Sequence, residues 1–173
     1  MPFIGGCIRP TGTMHACCDS QDPGTYSFEE IDEWRNSNVM VNLREELYNG
    51  IENEHCRRCW ATQQLGGQSL RQVYNQSLVN ATISKQIKAI AANNFITEND
   101  ITFLDLKLGN LCNLKCLICG PENSTAWLPD YQKLFPNVNV EQFKYKVQNQ
   151  INIDNSVLNG NIKRIHFHGG GEP

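Results

Sequence analysis

Three cysteines directly after an alternating apolar segment constrain this chain more than any other feature. They stand as Cys112-x3-Cys116-x2-Cys119. In residues 101–108 ahead of them, Leu104, Leu106 and Leu108 face one way and Phe103, Asp105 and Lys107 the other, which predicts a β-strand. Three closely spaced thiols are one ligand short of a closed tetrahedral zinc site or a fully ligated cubane cluster. An open coordination position is where a small molecule can bind and react.

Residues 162–168 read as a second strand, which runs into Gly169-Gly-Gly-Glu-Pro173. Between the two strands, residues 124–128 start a helical segment punctuated by Pro129 and Pro136. Val140, Phe143 and Val147 suggest another helix, and Asn159-Gly160 is a turn signal. Strand, loop, helices and strand in that order predict a βαβ unit with a parallel sheet. Both strands of such a unit end at one edge, so the cysteine loop and residues 169–173 are expected to be neighbours.

The other five cysteines, Cys7, Cys17, Cys18, Cys56 and Cys59, all precede residue 60. Pro10-Thr-Gly12 marks a turn between short extended pieces, so a β-hairpin is expected to present the first of them. Ser27-Phe-Glu-Glu30 is a capping-box pattern followed by Ile31 and Trp34 at helical spacing. Val39, Met40, Leu43 and Leu47 predict a second helix stopping at Asn49-Gly50. Cys56-x2-Cys59 follows, then the Gly66-Gly67 break and a short helix near 69–74. Trp34 and Trp60 read as core residues, and Arg57 and Arg58 as solvated or set near the negative charge of a thiolate-bound metal group. Residues 75–100 are polar and weakly patterned, and read as a connecting segment that can hold a helix around 83–92. The expected fold is α/β: the start of a partial (β/α) barrel over 101–173, preceded by a small cysteine-rich α+β module over 1–74.

Charge and hydropathy narrow the functional classes. The formal charge of −3, with no block of like charges, argues against a general nucleic-acid or polyanion binder. No apolar run approaches the ~20 residues a transmembrane helix needs, and the N-terminus lacks signal-peptide character. A cytoplasmic location is expected, and there clustered cysteines favour metal or cluster ligation over disulfides.

Cys112-x3-Cys116-x2-Cys119 after a strand, with Gly170-Gly171-Glu172 at the end of the next strand, resembles the core of the radical S-adenosylmethionine (radical SAM) enzymes. The resemblance implies that Cys112, Cys116 and Cys119 hold a [4Fe–4S] cluster whose open iron is chelated by S-adenosylmethionine (SAM). Reductive cleavage of SAM would then give a 5′-deoxyadenosyl radical that abstracts hydrogen from a substrate. Gly170, Gly171 and Glu172 would contact the methionyl group, and Ile118, where the family often has an aromatic residue, would lie near the adenine. No catalytic side chain is assigned beyond the cluster. His166 and His168 share a face of the second strand and read more readily as a packed or hydrogen-bonded pair.

Cys7, Gly12-x4-Cys17 and Cys56-x2-Cys59 resemble the SPASM/twitch auxiliary-cluster module, which in better known members follows the barrel. That likeness implies a second [4Fe–4S] cluster and a peptide, protein or other macromolecular substrate. It also implies an electron donor such as a flavodoxin or ferredoxin. The family spacing fits Cys17 better than Cys18, although spacing alone cannot separate adjacent residues. A zinc site from the same four cysteines, with His55 as a substitute ligand, is the competing reading and would make the chain a non-enzymatic interaction module. A full (β/α)8 barrel takes about 250 residues, so the chain is expected to be the N-terminal portion of a longer enzyme.

Overall fold

The computed structural model describes residues 1–98, 101–107, 109–117, 119–144 and 162–167. Leu108, Ile118, His168, Gly170, Gly171 and Glu172 lie outside these residues, as do Val147 and the Asn159-Gly160 turn. Four strands form one mixed sheet: β1 (Gly5–Ile8), β2 (Met14–His15), β3 (Phe103–Leu106) and β4 (Arg164–Phe167). Their spatial order is β2-β1-β3-β4. The hairpin β1–β2 is antiparallel, with Cys7 opposite His15. β1 pairs parallel with β3, and β3 pairs parallel with β4. The predicted parallel pair is therefore present, and it is extended by a hairpin from the chain's first residues. Gly5 is required where β1 meets β3, because a Cβ there would sit 1.9 Å from the Phe103 carbonyl oxygen.

Six α-helices accompany the described sheet, and local sequence chemistry accounts for most of their ends. The Glu30 carboxylate accepts from both the N–H and the hydroxyl of Ser27, each at 2.9 Å, at the 3-10 turn leading into α1 (Ile31–Arg35). Ser37 caps α2 (Asn38–Tyr48), accepting from the Met40 N–H, and Gly50 follows its end with φ +72. α3 (Arg57–Gln64) starts on Cys56, and α4 (Leu70–Leu78) on a capping box between Ser69 and Gln72. Asn80 caps α5 (Ala81–Ala92) through a 3.0 Å bond from the Ile83 N–H. α6 (Leu128–Leu134) takes Pro129 in its first turn, where the missing N–H removes no helical bond. Val140–Phe143 forms a 3-10 turn.

Two apolar clusters fix the layers. One joins Ile8, Met14, Trp34, Met40 and Leu43 to Leu104 and Leu106. The other joins Phe3 and Ile4 to Ile83, Ile90 and Phe103. Leu104 and Leu106 thus pack on one side of the sheet with α1 and α2, and Phe103 on the other with α5, as the alternation in β3 requires. Ile83 and Ile90 of α5 are buried in this core. Trp34 is buried as expected, whereas Trp60 is only half-buried and instead carries the Arg71 guanidinium 3.7 Å above its ring. Among the described residues, no helix is long and apolar enough to cross a membrane.

Candidate functional site

The cysteine loop leaves the sheet where β3 ends. Asn110, fully buried, ties its two arms together by donating to the carbonyls of Pro121 (2.9 Å) and Phe143 (2.5 Å). Ser124 Oγ donates to the Leu114 carbonyl at 2.6 Å and the Cys112 carbonyl at 3.3 Å, which pins the first turn of the loop. The Leu114 N–H points at Cys112 Sγ at 3.4 Å, and the Cys119 N–H bonds the Cys116 carbonyl at 3.0 Å. Cys116 is exposed, Cys112 and Cys119 are half-buried, and all eight cysteines are free. Leu111, Leu114 and Leu117 project outward, Leu117 with 98% exposure, so the loop presents thiols on an apolar rim.

The N-terminal thiols occupy a contrasting environment. Cys7 and Cys59 are buried; Cys17, Cys18 and Cys56 are half-buried. Burial pushes the Cys17 and Cys18 thiols up to about 12 and Cys56 up to about 11. Cys7 is also raised, by burial first and then by the Asp105 charge. Cys17 lies within electrostatic reach of Cys56, Cys56 of Cys59, and Cys7 of both Cys17 and Cys18. Cys56 stands at the N-cap position of α3 without a side-chain bond to the helix, and burial raises its thiol, the opposite of a reactive nucleophile. Buried thiols that keep their protons suit ligands that lose them only to a metal.

The strand register sets a row of polar residues across the sheet. His15, Cys7, Asp105 and His166 are successive cross-strand partners. Asp105 is fully buried, stands close enough to Cys18 for its charge to raise that thiol, and lies 3.8 Å from Nδ1 of half-exposed His166. Cys18 Sγ is also 4.0 Å from the Tyr74 hydroxyl. His15 Nδ1 lies 3.4 Å from Asp22 Oδ2, and this buried pair braces the loop that carries Cys17 and Cys18. Lys107, half-buried beside this row, bonds Asn123 through Nζ; burial lowers its pKa, while Cys7, Glu122 and Cys119 oppose that fall. It lies within electrostatic reach of one thiol from each cysteine group, Cys7 and Cys119.

Among the described residues, no three His, Cys, Asp or Glu side chains converge into a ready-made metal site. The loop offers three free thiols, one already receiving a backbone N–H, and the N-terminal group offers five, of which Cys7 and Cys59 are buried. Both sets suit soft thiophilic metals and iron–sulfur clusters. His55 directs its N–H to Asn53 and its carbonyl to the Gln21 N–H; Arg58 is exposed and pairs with Asp19 at 2.9 Å. Sequence reading passed over Asp105, Tyr74 and Lys107 as site residues. A lone aspartate among the apolar residues of β3 was the available signal for the first; nothing local marked the others. No family model, curated protein or solved structure matches this chain.

Proposed function

We propose that this chain is the cluster-bearing portion of a radical SAM enzyme, with an auxiliary [4Fe–4S] site built from its N-terminal cysteines. One observation carries the reading. β3 and β4 run parallel and in register, so the cysteine loop leaves the sheet at the edge where β4 ends and the chain proceeds to Gly170, Gly171 and Glu172. Ligands at carboxyl strand ends are the rule for sheets of this kind.

In this reading Cys112, Cys116 and Cys119 hold the SAM-binding cluster, which when loaded supplies one-electron reductive cleavage of SAM. The Leu114 N–H stabilises charge on the Cys112 sulfur, and Ser124 keeps that turn of the loop in shape. Gly170, Gly171 and Glu172 would bind the methionyl end of SAM, and Ile118 would contribute to its adenine side, as the resemblance implies. Cys7, Cys17, Cys56 and Cys59 would be the ligands of the auxiliary cluster. The substrate is a peptide or protein, and electrons come from a flavodoxin- or ferredoxin-like donor in the cytoplasm.

Anaerobic reconstitution with ferrous iron and sulfide tests the proposal. Two clusters predict about eight irons per chain, with a broad visible absorption that dithionite bleaches. Replacing Cys112, Cys116 and Cys119 together by alanine should remove about half of that iron. Tight zinc binding with no iron uptake would refute the enzyme reading and favour the zinc module.

A further inference from the structure

We propose that the cavity between α2, α4 and α5 is a binding site for a small monocarboxylate with an apolar body, and that Arg71 recognises its carboxylate. The inference goes beyond the cluster reading and stands whether or not the cysteines hold a metal.

The cavity holds about 370 Å³, within the range of small-molecule sites and equal to about a dozen water volumes. Phe3, Leu47, Leu78, Ile83 and Ile87 line it, so most of its wall offers water no hydrogen-bond partner. Its aromatic walls are braced from outside. Tyr74 packs edge-on against Phe103 at 5.6 Å between ring centroids, and Tyr48 against Phe95 at 5.8 Å. A cavity held in this way is formed before any ligand arrives. Arg71, half-buried, is the only charged side chain among the lining residues. Its guanidinium lies 3.7 Å above the Trp60 ring, and Nη2 donates to Gln63 Oε1 at 2.7 Å. Both partners are neutral. Nε is buried without a hydrogen-bond partner, and no carboxylate pairs with Arg71 among the described residues. A cation so placed on an apolar wall is under-satisfied, and an anion would supply what the chain does not. The planar N–H fork suits a carboxylate. A doubly charged ligand would bring a second negative charge into an apolar space that has no second cationic side chain to meet it. The volume sets the rest: a body of about a dozen non-hydrogen atoms fills it.

Calorimetric titration of the full chain with octanoate and 1-octanol, its thiols kept reduced, is the test. Octanoate should saturate a single site per chain. 1-Octanol, which fills the cavity without the charge, should bind about tenfold more weakly or worse. R71Q should bring octanoate down to the affinity of 1-octanol and leave 1-octanol unchanged. R71K, which keeps the charge and loses the fork, should lie between R71Q and wild type. Octanoate should also change the tryptophan fluorescence of the wild type through the stacked Arg71 and Trp60, and W60F should lose that change while still binding. Equal affinities for octanoate and 1-octanol in the wild type would overturn the proposal without recourse to any variant. So would undiminished octanoate binding in R71Q, a fluorescence change that survives in W60F, tighter binding of octyl phosphate, or no saturable binding at all. Metal loading of the cysteines is read separately and is unaffected by any of these results.

Discussion

Arg44 offers a sharp test of how the N-terminal strand is held. Its side chain is fully buried, donating to the Pro2 carbonyl at 3.3 Å and to the Arg35 carbonyl. Arg35, also buried, donates to the Phe3 carbonyl at 3.3 Å and to Thr97 Oγ1 at 3.1 Å. Together they anchor the segment entering β1, and so the position of Cys7. Burial lowers Arg44 from 12.5 to about 10. At ~1.4 kcal/mol per tenfold, that gap is a cost of ~3 kcal/mol for holding the charge indoors. A base with a lowered folded pKa bears this cost at all pH values below the folded value and is relieved above it. Two hydrogen bonds from a charged group return ~1.5 kcal/mol or more each, which offsets the cost almost completely. R44M, which keeps the stem and discards the charge, should therefore lie within about 1 kcal/mol of wild type. R44A also opens a cavity and should lose about 2–5 kcal/mol. Denaturant unfolding at neutral pH measures both. An R44M loss equal to that of R44A would refute the reasoning, because the guanidinium bonds would then outweigh the cost of burying charge.

Two further outcomes follow from the loop that carries Cys17 and Cys18. Burial pushes the Asp22 carboxyl up, but bonds from His15, Ser20 and the Ala16 N–H outweigh it and hold it below 3.8. Its contribution is thus intact above the unfolded value of 3.8 and lost as pH falls through the folded one, so the fall in stability between about pH 5 and about pH 3 should be shallower in D22N. An unchanged acid limb in D22N would argue against the pairing. Gly24 has φ +58, and a Cβ there would stand 2.3 Å from the His15 ring. G24A should cost about 2 kcal/mol or more, read as a lowered unfolding midpoint; a neutral result would mean the His15 ring is not locked.

The parts of the fold that were legible in the sequence are those written in local chemistry. The Ser27–Glu30 box, the Asn49-Gly50 stop and the alternation of β3 each depend on residues a few positions apart. The parallel pairing of β3 and β4 followed from topology rules once both strands were recognised. The pairing of β1 with β3 did not, because a four-residue strand containing two glycines carries no signal for a partner so distant in sequence. Trp60 misled for a related reason: an aromatic in a small module suggests core, and only tertiary placement reveals Arg71 lying on it. The same holds at the site, where cysteine spacing marked the thiols. The nearness of Tyr74 and Asp105 to Cys18 arises through the fold alone.

The pairing of Gly5 with Phe103 also sets an order of events during synthesis. At ~5–20 residues per second, the hairpin leaves the ribosome several seconds before the strand that completes its sheet. Over that interval β1 has only the two-residue β2 beside it, and a lone hairpin is marginally stable in water. Cys7, Cys17, Cys18, Cys56 and Cys59 are therefore all made before the wall that buries Cys7 exists. The enclosure of Cys7 waits for the arrival of its cross-strand partner, Asp105.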